Sequence, residues 1–267
     1  MEAIRQMLDT AITTLTGLDD ADAAWTSLFG SHEQIGVKVN TINTSSHWTH
    51  ARLAEAVADR LQEVGIPAEQ IILFDRTSSE LEAAYYKINR DGPGVRCHGT
   101  DSHYTAGWTL MDTEIKLSDI LLSCDALVNI PLLKQHDLSG ISFAMKNHYG
   151  CFDRPGAFHR GRIKQAIPEL NALPPIQERT RLIVGDAMSI VRKGWYAAAK
   201  GNSILMSLDP VAHDTVGLQL YIDTMAAEGS RYTAEERLAK SWLQYGAQLG
   251  LGTNNPDYID LIEIDLE

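Results

Sequence analysis

The chain has 267 residues, 44% of them apolar, which is enough for one large α/β domain with an ample core or for two small ones. Its 23 basic and 35 acidic side chains leave a net charge of -12, and that balance disfavours nucleic acid or an anionic membrane surface as a partner. No apolar stretch approaches the roughly 20 residues of a membrane span, so membrane insertion is not expected.

Ile4, Met7, Leu8, Ile12 and Leu15 recur at helical spacing and predict an amphipathic helix over about residues 1–17. As written the chain carries no export signal and reads as cytoplasmic; a removed leader would make it an exported protein. Residues 34–40 form a predicted strand closing on Lys38 and Asn40, followed by a Thr/Ser/His loop over 41–50 and a helix over 49–64. The run 71–74 is a second strand, closing on Asp75 and Arg76. Residues 91–113, rich in Gly, His and Asp without periodicity, read as a long insertion loop or lid whose His98, Asp101 and His103 could reach a site.

The apolar run 126–130 is a buried strand, and Pro131, lacking an amide donor, should take the chain out of the sheet. Lys134 and His136 follow directly. Residues 138–149 read as a helix carrying Lys146, Asn147 and His148 near its carboxyl end, with Gly150 as its stop. Residues 171–179, with Pro174 and Pro175, read as a connector, and strands 182–185 and 204–208 close on Asp186 and Asp209. Asp209 before Pro210 is a helix start, and one exposed turn would account for His213 and Asp214. A helix over 233–245 opens with Thr233 and Glu236 in capping-box spacing, and 258–264 alternates as a closing edge strand.

Helices between most of these strands predict an α/β fold, a single domain over 1–267, with a mainly parallel central sheet flanked by helices. All strand carboxyl ends then face one way, where ligands bind in open parallel sheets. The expected crevice is lined by Lys38, Asn40, Asp75, Asn129, Lys134, His136, Asp186 and Asp209. Between Lys134 and Lys164 stand six basic residues against only Asp137 and Asp153, and a cationic pocket on an anionic protein suits a small carboxylate or phosphate.

The words IGVKVN, NIPLLKQH, AMKNHYG with the following PGAFH, LIVGDA and DPVAHDTVG, in this order from about Trp25 to the end, resemble the family called domain of unknown function 362. The resemblance implies a site at Lys38, Asn129, Lys134, His136, Lys146, Asn147 and Asp209. It implies no reaction, although many members are associated with iron-sulfur proteins or carry twin-arginine leaders. The turn PLLKQH is also similar, over a short stretch, to lysine and histidine turns of nickel-pincer lactate racemase relatives. This chain departs from the iron-sulfur members: Cys97, Cys124 and Cys151 are far apart and form no CxxC pair, so no iron-sulfur cluster is expected. Cys124 reads as a small core residue and Cys151 as the one thiol to watch for reactivity.

Three chemistries fit these residues. In the first, an enzyme of redox or proton-transfer type holds a small anionic substrate or cofactor with Lys38, Asn40, Asn129, Lys146, Asn147 and His159. There Lys134 and His136 or His148 do the chemistry, and a redox partner protein is one expected partner. In the second, His136 or His148 joins Asp186 and Asp209 around a divalent metal, although no spacing matches a zinc signature such as HExxH. The third is a metal- or cofactor-binding delivery module without turnover. There is no GxxxxGK[ST] loop, no GxGxxG after the first strand and no GxSxG elbow.

Overall fold

The computed structural model describes residues 1–42, 47–192, 198–230 and 232–266. Its amino-terminal helix α1 (Glu2–Thr16) buries Leu8 and Ile12 and ends on left-handed Gly17, and α2 (Ala21–Leu28) is capped by Asp20, which accepts from the amide of Ala23. Strand β1 (Ile35–Lys38) is followed by α3 (Ala51–Glu63), then by β2 (Ile71–Phe74) and the short α4 (Ser78–Ala83). β1 pairs in parallel with β2 on one side and with β6 (Ala126–Asn129) on the other. The register sets Lys38 level with Phe74 and Asn129, so the carboxyl ends of these three strands coincide.

The stretch expected as a lid contains strands. β3 (Arg96–Cys97) extends the main sheet beside β2, and β4 (Tyr104–Leu110) forms an antiparallel hairpin with β5 (Thr113–Ser118), before α5 (Asp119–Ser123) returns the chain to β6. Asp101 is held by the amide and hydroxyl of Ser78, which anchors the start of this excursion.

Pro131 interrupts the sheet without ending it. Its carbonyl accepts from Asp186 N at 2.8 Å, and the chain resumes as β7 (Leu132–His136) alongside the later half of β9 (Thr180–Val191), whose first half pairs with β6. The helix expected over 138–149 is not formed. The chain instead reverses into β8 (Gly140–Ser142), antiparallel to β7, and then makes one helical turn, α6 (Ala144–Asn147), running into a 3-10 turn, His148–Cys151. Two features of the distant chain override local propensity. Gly140 sits at φ 84 against the backbone of Glu235, where a Cβ would lie 2.0 Å from its carbonyl oxygen. The buried Asp214 carboxylate accepts from Ala144 N and Met145 N at 2.7 and 2.9 Å, fixing where the helical turn begins.

Helix α7 (Ile163–Asn171), unassigned from the sequence, and the single turn α8 (Pro174–Gln177) precede β9. β10 (Ala198–Ser207) returns antiparallel to β9, so the strand expected to be parallel before Asp209 is one arm of a hairpin. Asp209 caps α9 (Pro210–Ala227), as its sequence position predicts. α10 (Thr233–Gln248) begins after Tyr232 without a side-chain cap, so the predicted capping box is not made. Beyond the 3-10 turn Pro256–Tyr258, residues 259–266 form no strand, and Tyr258, Leu261, Ile262 and Ile264 are exposed. The result is a mixed, mostly parallel sheet covered on each face by helices, with one apolar core on each side.

Gly140→Ala tests the tertiary override at the hairpin. Left-handed φ and collision with Glu235 should together cost about 2 kcal/mol or more, read as a clear drop in the thermal midpoint. An unchanged melt would show that neither constraint holds the β7–β8 turn.

Candidate functional site

Four side chains gather at the strand ends into one hydrogen-bonded unit. Asn147, on the α6 turn, accepts through Oδ1 from Asn40 Nδ2 at 3.0 Å and from Lys38 Nζ at 3.4 Å. Its Nδ2 donates to Asn129 Oδ1 at 2.7 Å and to Lys38 O at 3.3 Å. Asn129 Nδ2 donates onward to Ala144 O at 2.9 Å. The three amides thereby orient one another, and the network ties β1 and β6 to α6. Lys38, Asn40, Asn129 and Asn147, all chosen from the sequence, are brought together.

Lys38 is fully buried and donates to Asp75 Oδ1 at 2.7 Å and to Val39 O at 2.7 Å. The second carboxylate oxygen of Asp75 accepts from the amide and hydroxyl of Thr41 at 2.6 and 2.9 Å. Burial pushes the Asp75 carboxyl up, but the Lys38 charge, the Lys38 bond and the two Thr41 bonds outweigh it and hold the group below its ordinary value. Gly150 closes over the pair: a Cβ there would lie 2.5 Å from Asp75 Oδ1 and 2.9 Å from Lys38 Nζ. Any larger residue would separate the turn after α6 from the ion pair.

Lys134, on β7, donates to Asn40 Oδ1 at 2.7 Å and to Ile42 O at 3.0 Å, which joins it to the same network. Asp186, also expected at the crevice, accepts instead from His50 N and His50 Nδ1, at 2.8 and 2.7 Å, and from Met188 N. Burial, offset in part by Asp75, pushes the Lys134 ammonium down to about 8. Lys146 has no hydrogen-bond acceptor among the described residues. Its Nζ stands 4.4 Å from the centre of the Tyr149 ring, and burial followed by the Lys134 charge lowers it to about 7.

The remaining wall is a histidine pair. His136 and His159 stack with ring centres 5.7 Å apart, and His159 meets the Tyr149 ring edge-on at 5.6 Å. Leu138 N and Ser139 N donate to His136 Nδ1 at 3.2 and 3.3 Å, which puts its ring proton on Nε2. His159 Nδ1 lies 2.9 Å from Pro155 O and must carry the proton there, leaving Nε2 as an acceptor. Burial, then Lys146, His159 and Lys134, push His136 down to about 2, so it is a neutral imidazole at any working pH. Burial and Lys146 lower His159 as well.

Several expected participants stand elsewhere. His148 is buried between α6 and α7, its Nδ1 2.8 Å from Asn171 Oδ1 and its Nε2 3.4 Å from Thr180 Oγ1, and burial lowers it to about 4. Both of its nitrogens serve packing. Asp209 accepts from Val211 N, Ala212 N and Thr253 N, beyond the end of β10 and away from Asp186. The proposed metal set of Asp186, Asp209 and His136 or His148 is therefore not assembled, and among the described residues no three His, Cys, Asp or Glu side chains converge as ligands. Cys151 is fully buried and its thiol is pushed up to about 12 by burial, which opposes the expected reactivity. The basic cluster also divides: Arg154 pairs with Asp153 at 3.5 Å, Arg162 pairs with Asp112 on the β4–β5 side, and Arg160 and Lys164 are exposed, while Lys134 and Lys146 are buried.

Sequence reasoning missed Tyr149, His50 and Asp214. Tyr149 was hidden inside a supposed helix end. His50, which Asp186 raises above its ordinary value by a direct hydrogen bond, sits at the start of α3 with no motif around it. Asp214 was visible in the word DPVAHDTVG, but its apparent place on an exposed turn disguised a fully buried carboxylate.

The two kinds of buried lysine should respond differently to replacement. Asp75→Asn leaves Lys38 uncompensated and should cost about 3–5 kcal/mol. Because the folded Asp75 value is depressed, the stability it gives is present above the ordinary carboxylate range and is lost as pH falls through the lowered value. The variant should therefore lose the corresponding part of its acid sensitivity. Lys134→Met should cost no more than about 1 kcal/mol, since loss of its bonds is offset by removal of a poorly solvated charge. Chemical denaturation across pH that ranks the two variants the other way would contradict this assignment.

Among solved structures, the fold is similar to that of the lactate racemase apoprotein from Thermoanaerobacterium thermosaccharolyticum, with a TM-score of 0.54 at 9% identity over 83% of this chain. The chain spans 55% of that racemase's length. A crystallised protein from Thermotoga maritima matches 92% of this chain and 59% of its own at a TM-score of 0.45 and 13% identity. No curated protein matches the sequence. The sequence profile described as Domain of unknown function (DUF362) matches residues 35–219, more than half of the chain, and the chain belongs to that family.

Proposed function

We propose that the chain is an enzyme that moves a proton on a small anionic substrate, a carboxylate above all, bound at the strand-end crevice. The observation that carries this reading is Lys146, a buried amine with no acceptor among the described residues, lowered to about 7 and placed beside the Lys134 cation. Near neutral pH roughly half of such an amine is unprotonated and able to take a proton, where an ordinary lysine, at about 10.4, is almost wholly charged. Lys134, at about 8, keeps most of its charge at pH 7 and can attract the anion. The opposed tautomers of His136 and His159 offer a donor and an acceptor at the same wall.

The fold likeness to a lactate racemase apoprotein supports trying substrates in which the reacting carbon adjoins a carboxylate, and it extends no further at 9% identity. The same likeness to an apoprotein favours a second reading, in which the anion held by Lys134 and Lys146 is a cofactor. In either case the cations define the pocket and the histidine pair lines it.

The test is deuterium incorporation from heavy water into a panel of small 2-hydroxy and 2-oxo carboxylates, followed by proton NMR. At least one should exchange next to its carboxyl or carbonyl carbon. The rate should rise as Lys146 loses its proton near 7 and fall as Lys134 loses its charge near 8, giving a narrow bell. Lys146→Gln should lower it by about 100-fold or more. Exchange that is undiminished in Lys146→Gln, or no exchange with any panel member, would refute the proton-transfer reading.

A further inference from the structure

A basic amine near neutral pH is also a nucleophile, and the surroundings of Lys146 favour that use. We propose that Lys146 condenses with the carbonyl group of a small 2-oxo acid to form an imine, a covalent role that rests on the anion-binding part of the reading above. Three geometric observations carry it. Lys146 is 8% exposed, largely screened from bulk water without being wholly enclosed. No carboxylate or other acceptor among the described residues competes for its lone pair or holds it as a fixed ammonium. The Tyr149 ring face, 4.4 Å from Nζ, offers the same electron-rich surface to an iminium cation as to an ammonium.

The partners for each step are in place. Lys134, tethered to Asn40 and Ile42, supplies the positive charge that draws the acid's carboxylate toward the amine. The nitrogen lone pair adds to the carbonyl carbon, and the carbonyl π electrons pass to oxygen. The amine gives up its two hydrogens, and both leave with the former carbonyl oxygen as water. No oxidant, reductant or further reactant is needed. His159 suits the relay of those protons, because its Nδ1 is committed to Pro155 O and its Nε2 is the accepting nitrogen beside Tyr149. His136, stacked on His159 with its proton on Nε2, keeps the pair in complementary tautomers.

Lys38 is excluded from this chemistry by its bond to Asp75, and Lys134 by its tethers within the amide network. The remaining described lysines, Lys87, Lys116, Lys164, Lys200 and Lys240, are exposed on the surface and lack the enclosure of Lys146. Among the described residues a single reactive position is therefore expected.

The test is reductive trapping on the intact chain. The protein is incubated near pH 7 with glyoxylate or pyruvate and cyanoborohydride, and the modified residue is located by peptide mass spectrometry. The expected result is one stable adduct on Lys146 at low reagent, formed before any surface lysine reacts. Lys134→Met should slow adduct formation with glyoxylate by about tenfold or more; with uncharged acetaldehyde the slowing should be smaller, limited to the rise in Lys146 proton affinity when the neighbouring charge is lost. Adducts spread over exposed lysines with Lys146 unmodified would overturn the proposal, as would equal slowing of both reagents by Lys134→Met. Site mapping on the unaltered chain remains decisive even if a variant folds poorly. Because trapping needs no turnover, an adduct without deuterium exchange refutes only the proton-transfer reading, and exchange without an adduct refutes only the imine.

Discussion

The buried ion pair between Lys38 and Asp75 is the constraint on which the rest of the site depends. Three lysines, Lys38, Lys134 and Lys146, are buried around the strand ends, and Asp75 gives its charge to the first of them through a direct bond. The price of burying the other two is visible in their lowered proton affinities, about 8 and about 7. A second carboxylate among them would restore ordinary lysines and remove the chemistry. The site thus holds one cation bonded directly to a carboxylate and two whose proton affinity burial lowers, on a protein whose overall charge is -12.

Such an arrangement survives only if the backbone over-determines it. The amides of Asn40, Asn129 and Asn147 cross-link β1, β6 and α6, and Gly150 lets the turn after α6 lie directly on the ion pair. From below, Asp214 accepts the first amides of α6 and is itself 3.0 Å from His213 Nδ1, whose ring stacks on Phe143 at 4.3 Å between centres. A four-residue helical turn has too few internal hydrogen bonds to stand alone, so these external contacts decide where Lys146 and Asn147 point. Burial at the site is sustained by two apolar cores, one on each face of the sheet.

Much of this was legible in the sequence because parallel strands announce themselves. The short apolar runs ending in Lys38, Asp75 and Asn129 needed only the rule that parallel strand ends share a side, and the structure sets Lys38 level with Asn129 and with Phe74, the residue before Asp75. What could not be read were features set by distant chain. Residues 138–149 have helical composition, yet Gly140 is fixed by Glu235 and Ala144 by Asp214, contacts separated by 70 or more positions. The antiparallel return of β10 was invisible because a strand's pattern does not state its direction. His148 and Asp209 looked chemical for the right residue type and the wrong neighbours: one is spent on Asn171, the other on capping α9.

Since every functional claim passes through the protonation of two buried amines, their titration is the most direct measurement. Uniform 13C lysine labelling, with Lys134→Met and Lys146→Met used for assignment, would follow each ε-carbon shift by NMR from pH 5 to the alkaline limit of folding. Lys146 should change at about 7 and Lys134 at about 8. Titration of both near the ordinary lysine value of about 10.4 would mean that water or an unrecognised carboxylate compensates them, and the account of this crevice would fail.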